Sequence, residues 1–191
     1  RIIGADGANS SIRKILKLKS PKMRLGIRGF VYTKENDGNF SQVETWPTKS
    51  GFCWKIARKD KVECGIIDKV GSAKHLFDEF LVRQNIVVKN IGLKLIPENI
   101  VMSKNYLITT CGDASGLAKP WSGGGVIWGL KAADMLIDSF PNFSIYRREV
   151  LKFFLPKTII GKLARNIGVW MGFNMPYLLP KNINIESDFL L

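Results

Sequence analysis

The sequence predicts an α/β (α+β) chain: a strand–turn–helix domain, interrupted by an antiparallel sheet and followed by helices. Three observations predict it. An apolar, strand-like run, NYLITTC (105–111), passes through a glycine-rich turn into a helical pattern. A strand end, a Gly turn and a helix start also open the chain at RIIGADGANSSIRKIL (1–16). Between them, residues 24–68 carry β-branched and aromatic runs broken by ENDG, TKSG and RKDK, the punctuation of hairpins. The expected segments are 1–20 with 105–140, then 21–104, then 141–191.

Each element has its own signal. Asn9, Ser10 or Ser11 supplies a cap for the first helix. Strands are expected at 24–33, 41–47, 51–58 and 61–68. Leu76, Phe77, Phe80 and Leu81 fall at helical spacing within 72–85. IVVKNIGLKLIP (86–97) reads as one or two strands. After the glycines, Val126, Leu130, Ala133, Ile137 and Phe140 form an apolar stripe, with Lys131, Asp134 and Asp138 opposite. Residues 144–155 and 157–173 read as two helices split near Pro156.

Composition narrows the function classes. The 191 residues are 46% hydrophobic and 24% charged, a globular balance. Net charge is +13, and RKILKLKSPKMR (13–24) holds six bases and no acid. Such a patch suits an anionic surface or ligand, or a solvated helix end. No recognition-helix pattern or aromatic interleaving accompanies it, so nucleic acid is not expected as a partner. Cys53, Cys64 and Cys111 have neither metal spacing nor a CxxC pair, which favours a reducing compartment. Cys53 and Cys64 flank a hairpin and read as core residues or a facing pair. With His75 the lone histidine, a Ser-His-Asp triad and a His-rich metal site are not expected. There is no apolar run of spanning length. The nearest, 167–180, is broken by Asn174 and Pro176.

The chemistry concentrates in CGDASGLAKPWSGGGVIWGLKAAD (111–134). A helix N-terminus presents unpaired N–H groups and partial positive charge. Gly123, Gly124 and Gly125 strip side chains from that end, so a flat or bulky ligand can lie against backbone. Asp113, just past the strand, is an acceptor suited to polyol hydroxyls, and Pro120 stiffens the loop. A plain strand–helix connection is the alternative.

GDASGLAKPWSGGGVIWGL resembles the second flavin-binding signature of the FAD-dependent reductase, hydroxylase and halogenase superfamily. GADGANSSIR (4–13) resembles that superfamily's middle Asp-Gly motif. Within it, the wording GLAKPWSGGG is most similar to the geranylgeranyl reductase family, in its archaeal branch. The resemblance implies FAD as cofactor, with Asp113 and the adjoining Gly112 at the ribityl chain. It implies backbone N–H groups of Gly124, Gly125 and Val126 at the pyrimidine edge of the isoalloxazine. Gly4, Asp6 and Gly7 would build a motif packed near the cofactor, with Arg13 structural. The family's Tyr-x-Trp-x-Phe-Pro-like substrate signature corresponds to GFCWKIAR (51–58), implying Trp54 as a substrate residue, although Ala57 replaces the proline.

The Rossmann Gly-x-Gly-x-x-Gly, which holds the ADP half of FAD, does not occur in these residues. The chain therefore reads as the C-terminal portion or split half of a flavoprotein, with the Rossmann segment as a partner. The implied reaction is reduction of C=C bonds in isoprenoid lipid chains by reduced FAD. A flavin monooxygenase or halogenase, or a non-catalytic split subunit, is the alternative. Strands 24–33, 41–47 and 51–58 would line an apolar channel. The expected location is cytoplasmic, with peripheral contact on the inner face of the membrane. In that reading the stripe Ile160, Leu163, Ile167, Trp170 and Met171, flanked by Lys157, Lys162 and Arg165, meets lipid.

Overall fold

The structure is a computed structural model that describes residues 1–32, 43–58 and 60–178. In chain order its elements are β1 (Ile2–Gly4), α1 (Ser11–Ile15), β2 (Met23–Tyr32), β3 (Val43–Pro47) and β4 (Phe52–Arg58). There follow β5 (Lys61–Lys69), α2 (Ala73–Arg83), β6 (Lys89–Pro97) and β7 (Ile108–Thr110). A 3-10 turn (Gly112–Ser115), α3 (Val126–Ser139), α4 (Phe143–Asn174) and a last turn (Pro176–Leu178) complete it. The chain divides into two compact units, Arg1–Pro21 with Pro97–Leu191, and Lys22–Ile96. Residues 97–104 and 141–178 thus fall in the unit that holds both glycine motifs.

The second unit is one five-stranded sheet in the order β3-β4-β5-β2-β6. The β3–β4, β4–β5 and β2–β5 pairs are antiparallel. Period-2 alternation sends Ile27, Cys53, Val62, Cys64 and Ile66 to one face, where Ala73, Phe77 and Phe80 of α2 cover them. Trp46 stacks on Phe80 with centroids 5.0 Å apart. The fully buried Asp68 accepts from the Lys69 amide at 2.6 Å, from Ser72 Oγ at 2.8 Å and from Thr48 Oγ1. This ties the β3–β4 turn to the start of α2. The cysteines do not face each other: Cys53 lies opposite Ile66 and Cys64 opposite Lys55. Both are buried free thiols, consistent with their reading as core residues. His75 lies on the surface of α2, 3.4 Å from Glu79.

The other unit places β1 and β7 side by side in parallel, with Ile2 opposite Ile108 and Gly4 opposite Thr110. Its core joins Trp128, Ala132 and Leu136 of α3 to Phe143, Tyr146, Val150 and Phe154 of α4. Of the apolar stripe, Val126, Leu130, Ile137 and Phe140 face outward, at 76, 62, 73 and 56% exposure, and Ala133 is half-buried against the core. Helix α3 carries two apolar stripes, and the one holding the large Trp128 ring took the core. The expected split near Pro156 is corrected: α4 is one helix. The proline removes one donor, and the carbonyl four residues back belongs to Lys152, an exposed residue. Phe154 and Thr158, buried on either side of the proline, hold both halves on one core.

Candidate flavin-binding corner and sheet cavity

Two motifs separated by a hundred residues converge because their strands are parallel neighbours. GADG leaves β1 and GDAS leaves β7 at the same sheet end, and the Cys111 amide donates to the Gly4 carbonyl at 2.9 Å. The loops beyond the carboxyl ends of parallel strands are where α/β sheets bind ligands.

Arg13 locks the two loops together. It is 2% exposed. Its Nη1 donates to the Ala114 carbonyl at 2.8 Å and its Nη2 to the Ala8 carbonyl. Asp6 turns its carboxylate onto the start of α1, accepting from the Ser11 and Ile12 amides at 2.6 and 3.2 Å. Desolvation acts to raise the Asp6 pKa. Hydrogen bonds from Ser10, Ile12 and Ser11 outweigh it and hold the group below its ordinary value. Gly7 takes φ +79°, a conformation other residues rarely adopt. These contacts make Asp6 and Gly7 builders of the turn.

The GDAS turn is equally fixed. Ser115 Oγ donates to Thr110 Oγ1 at 2.8 Å, and the Tyr146 hydroxyl donates to the Thr110 carbonyl at 3.3 Å. Burial pushes the Tyr146 phenol well up. Gly112 and Gly116 have φ +61° and +75°. The Lys119 amide donates to the Gly124 carbonyl and the Gly123 amide to the Lys119 carbonyl, which closes the loop tightly. Asp113 is half-buried and already interacts with the surrounding protein. A Cβ on Gly125 would lie 2.6 Å from Asp113 Oδ1 and 3.3 Å from the Leu117 carbonyl. A side chain at Gly125 would therefore strike the Asp113 carboxylate. Gly124 is exposed, and a Cβ there would meet only Ser122 Oγ, at 3.3 Å. Gly125 is the N-cap of α3 and brings no side-chain cap, so the first amides of α3 remain available donors, whereas the Gly124 amide donates to Ser122 Oγ at 3.3 Å. Val126 is 76% exposed beside them.

Trp54, in the sheet unit, lies on the face turned away from α2. Its ring covers Gly65, where any Cβ would fall inside the indole. Its Nε1 donates to Glu63 Oε1 at 3.1 Å. With Gly26, Arg28, Ile67, Leu93, Lys94 and Ile96 it lines a cavity of about 540 Å³. Gly26 and Gly92 keep its floor low, and Arg28 runs across Gly92 with Nε 3.6 Å from that position. The cavity is an apolar trough with two cationic side chains in its lining. Sequence reading missed Arg28 and Lys94. The available signal was glycine at positions 26, 65 and 92 of three strands, which marks close approach in a sheet.

No family model matches the chain, and no curated protein matches it. Among solved structures it is similar to a geranylgeranyl bacteriochlorophyll reductase-like protein from Thermoplasma acidophilum, with 16% identity and TM-score 0.69 over 88% of this chain and 50% of that one. The mixed α/β fold, a five-stranded sheet followed by helices, is shared with part of that protein. Tetracycline destructase Tet(51) is also similar, with 14% identity and TM-score 0.60 over 96% of this chain and 61% of that one. So is the flavin-dependent brominase Bmp2, with 12% identity and TM-score 0.59 over 92% and 54%. The chain spans about half the length of the first of these, and at most 61% of the three.

Proposed function

We propose that the chain forms part of an FAD-dependent oxidoreductase that reduces C=C bonds in isoprenoid chains. The observation that carries the flavin reading is the Arg13 clamp. It joins the Ala8 and Ala114 carbonyls and so holds an Asp-Gly turn and a Gly-Asp turn at one end of a parallel strand pair. The residues fit a flavin. Asp113 offers acceptor oxygens to ribityl hydroxyls. The uncapped α3 amides after Gly124 and Gly125 offer donors to a polar ring edge, and Gly124 leaves space for a flat ring. The α3 N-terminus adds partial positive charge, which favours an electron-rich ligand there. When bound, FAD supplies hydride chemistry that these side chains lack.

The isoprenoid part of the proposal rests on the trough beside Trp54. Its lining is mainly aliphatic and aromatic, with no acid among the described lining residues. Such a surface accepts a hydrocarbon chain and would place a polar, anionic end near Arg28 or Lys94. The test uses dithionite-reduced FAD and a geranylgeranyl phospholipid without oxygen. A mass gain of two hydrogens per reduced double bond supports the reading. Turnover that requires oxygen would instead favour a monooxygenase or halogenase.

A further inference from the structure

We infer that the distal half of α4 is a docking surface for an anionic lipid bilayer. Every fully buried residue of α4 lies between Phe143 and Gly161. Gly161 is where the helix leaves its support, since a Cβ there would press into the Trp121 ring at 2.6 Å. Beyond it, residues 162–174 extend about 20 Å and contain no buried side chain. Their outward face is apolar. Ile159, Leu163, Ile167, Trp170 and Phe173 are 59, 59, 48, 55 and 53% exposed and lie on one side at 100° per residue.

The charge pattern says what covers that face. Residues 150–178 contain four bases and no acid, in a chain of net charge +13. The bases divide by role. Lys162 and Arg165, expected from the sequence to reach lipid phosphates, point inward instead. Lys162 Nζ donates to Asn99 Oδ1, and Arg165 Nη1 donates to Glu98 Oε1 at 2.7 Å and to the Pro120 carbonyl at 3.1 Å. They brace the helix on its own unit. Lys152 is exposed on the apolar side, and Lys157 lies over the Phe153 ring at 4.3 Å. The result is a braced helix with an apolar stripe, an interfacial tryptophan and one exposed lysine, Lys152, on the stripe's side, while Lys157 is half-buried. That arrangement suits an anionic headgroup layer more than an acid-rimmed protein surface. Among the described residues no helix is long and apolar enough to cross a membrane, so the helix would lie along the surface.

The surface stands independently of the catalytic proposal, because it involves neither the glycine corner nor the trough. Vesicle flotation of the full chain tests it, since bound protein rises and aggregate sinks. The expected result is flotation with vesicles of phosphatidylcholine containing about one-third phosphatidylglycerol. Leu163→Glu/Trp170→Glu should lose at least tenfold in binding while keeping the wild-type circular dichroism spectrum. Lys152→Glu should lose about fivefold, on the anionic vesicles only. Absence of wild-type flotation would overturn the inference. So would flotation unchanged in the double variant, or self-association by sedimentation equilibrium that the double variant abolishes, which would make a second copy the occupant.

Discussion

Replacing Arg13 with methionine removes a side chain that bonds both motif loops. Two charge-assisted hydrogen bonds are lost, to the Ala8 and Ala114 carbonyls, each contributing about 1.5–3 kcal/mol net. Two terms act in the opposite direction. The Arg13 Nε is buried without a partner, a cost of about 1–3 kcal/mol that methionine relieves, and the thioether fills much of the same space. The balance is a loss of about 2–4 kcal/mol, which lowers the melting temperature by roughly 5–15 °C in a chain of this size. Arg13→Lys should recover part of it, because an ammonium reaches one carbonyl with good geometry but lacks the planar fork. Urea denaturation followed by circular dichroism measures both variants. If Arg13→Met unfolds within about 0.5 kcal/mol of the wild type, the clamp does not hold the loops and the argument from convergence fails.

Gly125→Ala should destabilise by about 1–3 kcal/mol, because its methyl meets Asp113 Oδ1, whereas Gly124→Ala should stay within about 0.5 kcal/mol; chemical denaturation separates them. Gly65→Ala should displace the Trp54 ring and break its bond to Glu63, visible as altered tryptophan fluorescence and a loss of about 1–3 kcal/mol. Cys53, its thiol pushed up to about 11 by burial first and by Asp68 second, should resist iodoacetamide at pH 8 until the chain unfolds. Asp6 has a folded pKa below its ordinary 3.8, so its contribution is present above that value and fades as pH falls through the folded pKa. Asp6→Asn should therefore flatten the acid limb of the stability–pH curve below about pH 4.

Local patterns carried much of the fold. The five strands of the sheet unit follow from alternation and turn residues, and α3 from the change of period at Gly123. What the sequence left open was set by packing. An apolar stripe does not say whether it is core, and α3 has two; the volume of Trp128 decided between them. Pro156 is a breaker in isolation, yet buried contacts on both sides carry α4 past it. At the candidate corner the residue types were legible, since Asp-Gly and Gly-Asp turns announce themselves. Their roles were not. That Asp6 spends its carboxylate on the α1 amides, or that Gly125 makes room for Asp113, depends on neighbours distant in sequence or on backbone angles. The Trp54 trough was legible only as an aromatic on a strand. Its cations lie on β2 and β6, which chain order separates and sheet order makes adjacent.

The central claim is that the Gly112–Asp113 turn and the Gly123–Val126 helix start form a flavin-binding corner. Titrating the 15N-labelled chain with flavin mononucleotide, and separately with ADP, tests it most directly by amide chemical shift. The account predicts flavin-dependent shifts centred on Gly112, Asp113, Gly124, Gly125 and Val126. It predicts none there with ADP, and a flavin affinity about five- to 150-fold weaker in Asp113→Ala, the equivalent of about 1–3 kcal/mol. Shifts that spare these amides at saturating flavin, or an unchanged affinity in Asp113→Ala, would contradict it.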